Sequence, residues 1–247
     1  MLRVCLALTA LLASVAAPAG AVTCQNVEFE SIRYAVCEVD ATKEDLRLFR
    51  ADANGQPIGQ FSRLEAMLAE NGETLAFAMN AGMYHEDRAP VGHYVEDGKE
   101  EMRVISSPGP GNFGLLPNGV LCITDKRARV YETRDFLAAK PACRDATQSG
   151  PMLVIGGELH PRFLPDSTSR YIRNGVGTSK DGKRAVFAIS QSLVTFHEFG
   201  RFFRDGLKLP NALFLDGNVS RLYAPELGRN DLGRRMGPIV AVTQKAP

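Results

Sequence analysis

From Ile32 onward the chain alternates short apolar runs with breaks that carry Gly, Asn, Asp or Pro. Runs rich in β-branched and aromatic side chains predict strands over Ile32–Val39, Asp45–Arg50, Leu75–Met79, Val91–Glu96, Phe113–Leu116, Val120–Thr124, Arg129–Tyr131, Met152–Ile155, Ala185–Ser190 and Ala212–Leu215. Asn-Gly or Asp-Gly within Glu96–Glu100, Pro117–Val120 and Lys180–Lys183 supplies the positive φ of tight hairpins, so the sheet should be mostly antiparallel or mixed. Helical spacing is rarer. Ser62 and Glu65 read as a capping box before Leu64, Met67 and Leu68, with Gly72 as the stop. Phe196, Phe199, Phe202 and Phe203 predict a helix from about Thr195 to Gly206, its aromatic stripe read as core packing, and a shorter helix fits Arg134–Ala139. Strands outnumber helices without regular alternation, which predicts an α+β single domain.

The first residues break this pattern. Arg3, the apolar stretch Val4–Ala17 and the small-residue site Ala19-Gly20-Ala21 read as a secretory signal peptide over 1–21, leaving 22–247 as the folded domain. That apolar stretch is shorter than the roughly 20 residues of a membrane span, and no other segment approaches it. Thr23 before Cys24 argues against a lipoprotein. Removing Arg3 from 29 basic residues leaves as many as the 28 acidic ones, so no basic nucleic-acid footprint is expected.

Four cysteines follow the leader: Cys24, Cys37, Cys122 and Cys143. An even number beyond an export signal predicts two disulfides in a periplasmic or secreted protein. Of three pairings, Cys24 with Cys37 and Cys122 with Cys143 is favoured, because each pair is close in sequence and flanks neighbouring elements.

Four segments carry more polar chemistry than a core requires. One strand delivers Asn80, Ala81 and Gly82, followed by His85, Glu86 and Asp87; Ser149 and Gly150 precede another; Arg170 and Arg173 lie near Gly175 and Gly177; an apolar run ends at Asp216, Gly217 and Ser220. Each alone also reads as a turn or a solvated edge. Together they suggest a site for a phosphorylated sugar. Arginine offers a planar fork to phosphate oxygens, glycine-bracketed N–H groups cradle anions, and Asn80 and Asp216 at strand ends can hold hydroxyls. A GxSxG elbow, an HExxH pair, a Walker loop and a dinucleotide fingerprint are all absent from the sequence.

The segments MNAGMYHEDRAPVGHYVEDGKE, GNFGLLPNGVLCI, QSGPMLV, RNGVGTSKDGKRAVFAIS and NALFLDGNVS, in this order, resemble the phosphodiester glycosidase family over about Tyr34 to Val242. The family's Asn-Gly-Gly turn matches Asn80, Ala81 and Gly82; its Gly-Pro matches Gly150 and Pro151; its arginine before a small-x-Gly run matches Arg173; its Asp-Gly-Gly-x-Ser loop matches Asp216, Gly217 and Ser220. Ala81 and Asn218 replace glycines of that pattern.

The resemblance implies hydrolysis of the bond between an anomeric carbon and a phosphodiester oxygen, with a sugar phosphodiester or glycan as substrate. On this reading Arg173, with the Ser149 and Gly150 backbone and Arg170, receives the departing phosphate. Asp216 serves as general base, nucleophile or stabilising carboxylate, beside Gly217. Asn80 and Ser220 orient hydroxyls or water near Gly82, and His85, Glu86 and Asp87 are acid or metal partners. No cofactor is required by the sequence; a divalent cation at Asp216 is compatible, although no ligand spacing demands one. Two rivals are a non-catalytic carbohydrate-binding or envelope assembly protein and a metal-dependent phosphodiesterase.

Overall fold

A computed structural model describes residues 22–246; the predicted signal peptide lies outside them. Three antiparallel sheets form the protein. The first has seven strands in the order Thr23–Phe29, Ile32–Asp40, Arg184–Ser190, Asn174–Thr178, Asn211–Phe214, Met152–Ile155 and Glu158–Leu159. The second runs Arg229–Asn230, Leu222–Ala224, Glu73–Asn80, Ile239–Lys245 and Asp45–Phe49, and the third Lys99–Met102, Tyr94–Glu96, Asp145–Ser149, Gly119–Thr124 and Arg127–Glu132. The expected α+β class holds, with every strand pairing among the described residues antiparallel.

One apolar core draws on all three sheets. Val176, Phe187 and Leu213 come from the first, Phe77 and Val240 from the second, Leu121 and Ile123 from the third, and the rings of Phe77 and Phe187 meet at 4.9 Å. Each sheet buries its outer face beneath a helix. Phe199, Phe202 and Phe203 cover the first sheet, Phe61, Leu64 and Leu68 of the helix Phe61–Glu70 cover the second, and Phe136 of Thr133–Ala139 packs on the third. The apolar stripes of these helices therefore face sheets, as amphipathic packing requires.

The helix at Phe196–Arg201 has a capping box: Thr195 Oγ1 accepts from the Glu198 N–H, and the Glu198 carboxylate accepts from the Thr195 N–H. A wider turn over Phe202–Gly206 extends it. Three local expectations fail. The first helix begins at Phe61 with Gln60 as N-cap and no side-chain cap, so Ser62 is already inside it. Phe113–Leu116 is a series of turns, and Asn118-Gly119 opens a strand instead of closing a hairpin, because the Asn118 amide is buried and donates to the Phe113 carbonyl at 3.1 Å. The other two hairpins form, with Asp97, Gly98 and Gly182 at positive φ.

Both expected disulfides are present. Cys24 and Cys37 face each other across the first hairpin, and Cys122–Cys143 ties the strand Gly119–Thr124 of the third sheet to the chain after its helix.

Candidate functional site

The first and second sheets meet where several strands end. Asn211–Phe214 runs on through Leu215, whose N–H donates to the Asn174 carbonyl at 3.1 Å; Asp216 then donates its N–H to the Ala81 carbonyl at 3.1 Å, just past the end of Glu73–Asn80. The pairing of Gly175 with Phe214 thus continues outward until Arg173 and Asp216 leave adjacent strands side by side. They share a pocket of about 390 Å³ with Asn112, Ser169, Tyr171, Phe214, Gly217 and Met83.

A buried amide pair locks this junction. Asn80 Nδ2 donates to the Asp216 carbonyl at 2.6 Å, while Asn80 Oδ1 accepts from Asn174 Nδ2 at 3.1 Å and from the Arg221 N–H at 2.9 Å. Asn174 Oδ1 in turn accepts from the Ser220 hydroxyl at 3.0 Å. Asn80 and Asn174 are both fully buried. Buried polar groups are tolerated because they are paired, and here the pairing fixes the backbone that presents Asp216.

Arg173 has the most unusual environment. Its guanidinium lies 3.6 Å above the Phe196 ring centre, with Tyr171 at 5.4 Å and Phe214 at 5.5 Å. Nε donates to the Val194 carbonyl at 2.9 Å and an Nη to the Ser169 carbonyl at 3.1 Å. The residue is only 2% exposed, yet among the described residues no carboxylate pairs with it. Burial lowers its pKa to about 10, so it stays cationic at neutral pH. A buried cation supported only by rings and carbonyls is a strong site for an anion. Phe196, read from sequence as core, forms the floor under this cation.

Arg170 faces elsewhere. Along an extended segment side chains alternate, so Ser169, Tyr171 and Arg173 share one side and Arg170 takes the other. It forms a two-pronged ion pair with Glu198, at 2.9 and 2.7 Å, and does not line the pocket. His85, Glu86 and Asp87 are exposed on a turn in which the His85 N–H donates to the Ala89 carbonyl. Among the described residues no group of three His, Cys, Asp or Glu side chains could hold a metal ion.

The glycines and Ser149 are placed by packing. A Cβ on Gly82 would lie 2.3 Å from Thr147 Oγ1, so glycine lets the second sheet approach the third. One on Gly150 would lie 2.8 Å from the Asn118 Cβ, and one on Gly217 2.4 Å from the Phe214 ring. Ser149 is fully buried, and its hydroxyl has no hydrogen-bond partner. Tyr84 is close enough to Asp216 to feel its charge; burial first and Asp216 second raise its pKa to about 12, leaving a neutral phenol whose O–H points to the Arg235 carbonyl at 3.4 Å.

Sequence reasoning missed Asn112, Ser169, Tyr171 and Asn174. The alternation Ser169, Tyr171, Arg173 was the available signal for two of them; Asn112 comes from the irregular segment mistaken in part for a strand.

The chain is thus an antiparallel three-sheet protein with one pocket holding Asp216 and a buried arginine that, among the described residues, has no carboxylate ion pair. The chain belongs to the phosphodiester glycosidase family, whose model matches residues 73–242. It is 35% identical over 185 residues to YigE, an uncharacterized protein of Escherichia coli (strain K12), covering 75% of this chain and 72% of that one. Among solved structures, the catalytic domain of zebrafish N-acetylglucosamine-1-phosphodiester alpha-N-acetylglucosaminidase, auto-inhibited by its pro-peptide, superposes with a TM-score of 0.58 at 14% identity, over 90% of this chain and 81% of that one. A hypothetical protein from Synechocystis has a TM-score of 0.56 at 13% identity, over 89% of this chain and 61% of the other. At such identities the likeness shows a shared fold.

Proposed function

We propose that this protein is an exported hydrolase that cleaves the anomeric carbon–oxygen bond of a sugar-1-phosphodiester. The observation that carries the reading is Arg173, a buried cation that forms no carboxylate ion pair among the described residues, in one pocket with Asp216. Membership of the family supports the reaction class, and two disulfides support an oxidising compartment.

In this mechanism the substrate's phosphate lies against Arg173 and supplies the missing counter-charge. Asp216 faces the anomeric carbon. Water's oxygen, or first the Asp216 carboxylate, bonds to that carbon while the bond to the phosphate oxygen breaks, and the phosphate monoester leaves with both bonding electrons; in the second route water then attacks the same carbon, the Asp216 carboxylate leaves with the electrons of its bond, and water's proton passes to solvent. A phosphate leaves readily, so charge stabilisation by Arg173 matters more than a strong acid. When water attacks directly, Asp216 takes its proton. Asn80, Asn174 and Ser220 act one step back, since their hydrogen bonds hold the Asp216 backbone.

Hydrolysis in oxygen-18 water tests the reading. Label in the sugar and none in the phosphate is expected, with Asp216→Asn reducing kcat about 10³-fold. Label in the phosphate would establish P–O cleavage instead, and a folded protein inactive on a broad panel with unaltered glycan binding in the variant would make it a binding protein. The anomer released, followed by NMR, separates direct attack by water from attack by Asp216.

A further inference from the structure

We propose that Phe196 is a positioning residue for the reaction: its ring sets the plane of the Arg173 guanidinium, so that the N–H groups left over there present one fixed fork to the substrate's phosphate. This inference rests on the phosphodiester reading and adds to it a residue that acts through Arg173.

Phe196 stands apart from the other aromatic side chains of its stripe. Phe199, Phe202 and Phe203 are fully buried over the first sheet, whereas Phe196 is only partly buried. Its ring meets Phe214 edge-on at 4.8 Å and stacks with Phe163 at 5.1 Å, with 5° between the two planes. The Arg173 guanidinium lies 3.6 Å from its centre, within direct contact of the ring face. Two neighbouring rings hold Phe196, and Phe196 holds the cation. The segments that carry the pair are also tied together on both sides of the contact. Tyr171 and Val194 exchange backbone hydrogen bonds at 3.1 and 2.8 Å, and Arg170 pairs with Glu198, whose carboxylate also accepts from the Thr195 N–H.

The ring fixes the plane of the guanidinium, and two carbonyls fix its rotation within that plane. Nε donates to Val194 at 2.9 Å and one Nη donates to Ser169 at 3.1 Å. An arginine has five N–H donors in one plane, so three remain that no protein group among the described residues takes. A phosphodiester carries two non-bridging oxygens, and two adjacent N–H groups can meet both at once. A guanidinium free to swing would have to be ordered when the phosphate arrives; this one is ordered beforehand. An aliphatic side chain at position 196 would fill much of the space and leave the plane unset.

The test follows two readouts, calorimetric binding of inorganic phosphate, which resembles the departing monoester, and kcat/KM on a sugar-1-phosphodiester. Phe196→Leu should weaken phosphate binding and lower kcat/KM by about tenfold each. Phe196→Tyr keeps the ring face and should stay within about twofold of the unaltered protein. In an Arg173→Met background Phe196→Leu should change kcat/KM by less than about twofold, because no cation is left to orient. The same tenfold loss in that background would make Phe196 a purely structural residue and overturn the proposal, as would unaltered phosphate affinity in Phe196→Leu or an equal loss in the leucine and tyrosine variants. Urea unfolding checks that each variant is folded, and Phe196→Met replaces Phe196→Leu if the latter is not. If no sugar phosphodiester is cleaved, phosphate binding alone decides: a loss in Phe196→Leu restored in Phe196→Tyr supports the positioning role while the glycosidase reading falls, and absence of phosphate binding by the unaltered protein overturns the role.

Discussion

Arg173 separates function from stability at the scale of one residue. Its charge is buried without a counter-ion, so an apolar replacement of similar length removes a desolvation cost together with two hydrogen bonds. Val194's carbonyl still accepts from the Tyr171 N–H when the guanidinium is gone. We therefore expect Arg173→Met to change unfolding free energy by no more than about 2 kcal/mol in urea titration, while kcat/KM falls at least about 10²-fold. Arg173→Lys keeps a charge but loses the planar fork, and should recover only part of the loss. A large loss of stability with activity intact would make Arg173 a structural cation. In the sequence Arg173 stands out as an arginine near Gly175 and Gly177 and Asp216 as the end of an apolar run, and the two line one pocket. The sequence did not reveal that Arg170, three positions away, is taken by Glu198, because that partner is 28 residues distant and brought close only by folding.

At the scale of elements, the junction of two sheets is held by the Asn80–Asn174 amide pair. Asn80 uses its amide as both donor and acceptor, so Asn80→Asp keeps the shape but places a carboxylate oxygen against the Asp216 carbonyl. The expected cost is about 2–4 kcal/mol with a fall in kcat, measured by urea unfolding and steady-state kinetics. Asn80→Ala should cost less stability than Asn80→Asp if repulsion dominates. Strand positions were readable where β-branched and aromatic residues form a short apolar run, as at Ala185–Ser190. They were not readable at Asn174–Thr178, whose Asn-Gly-Val-Gly-Thr looks like a turn; glycine is needed there because a Cβ on Gly177 would lie 2.7 Å from Leu209 and one on Gly175 2.8 Å from the Leu213 carbonyl. Local sequence cannot report a neighbour that tertiary packing supplies.

For the whole molecule, the disulfides close loops whose cysteines are 13 and 21 residues apart, and each should stabilise by about 3 kcal/mol. Unfolding in urea with and without a phosphine reductant should show a combined loss of several kcal/mol, and Cys122→Ser with Cys143→Ser should reproduce the share of the second bond. An unchanged midpoint under full reduction would refute that contribution. The even cysteine count led to two expected disulfides and nearness in sequence to their pairing, whereas the division into three sheets around one core was not legible, because the second sheet joins Asp45–Phe49 to Ile239–Lys245, far apart in sequence.

The strand Ile239–Lys245 lies between Glu73–Asn80 and Asp45–Phe49, in the interior of the second sheet. Its two neighbours, more than 150 residues earlier in the chain, therefore have no partner between them until Ile239–Lys245 has been synthesised. Asn80 and the backbone it steadies reach their final arrangement only after that insertion, so the pocket cannot be complete before Ile239–Lys245 is in place. The slow step of folding should therefore be the closure of this long-range pairing.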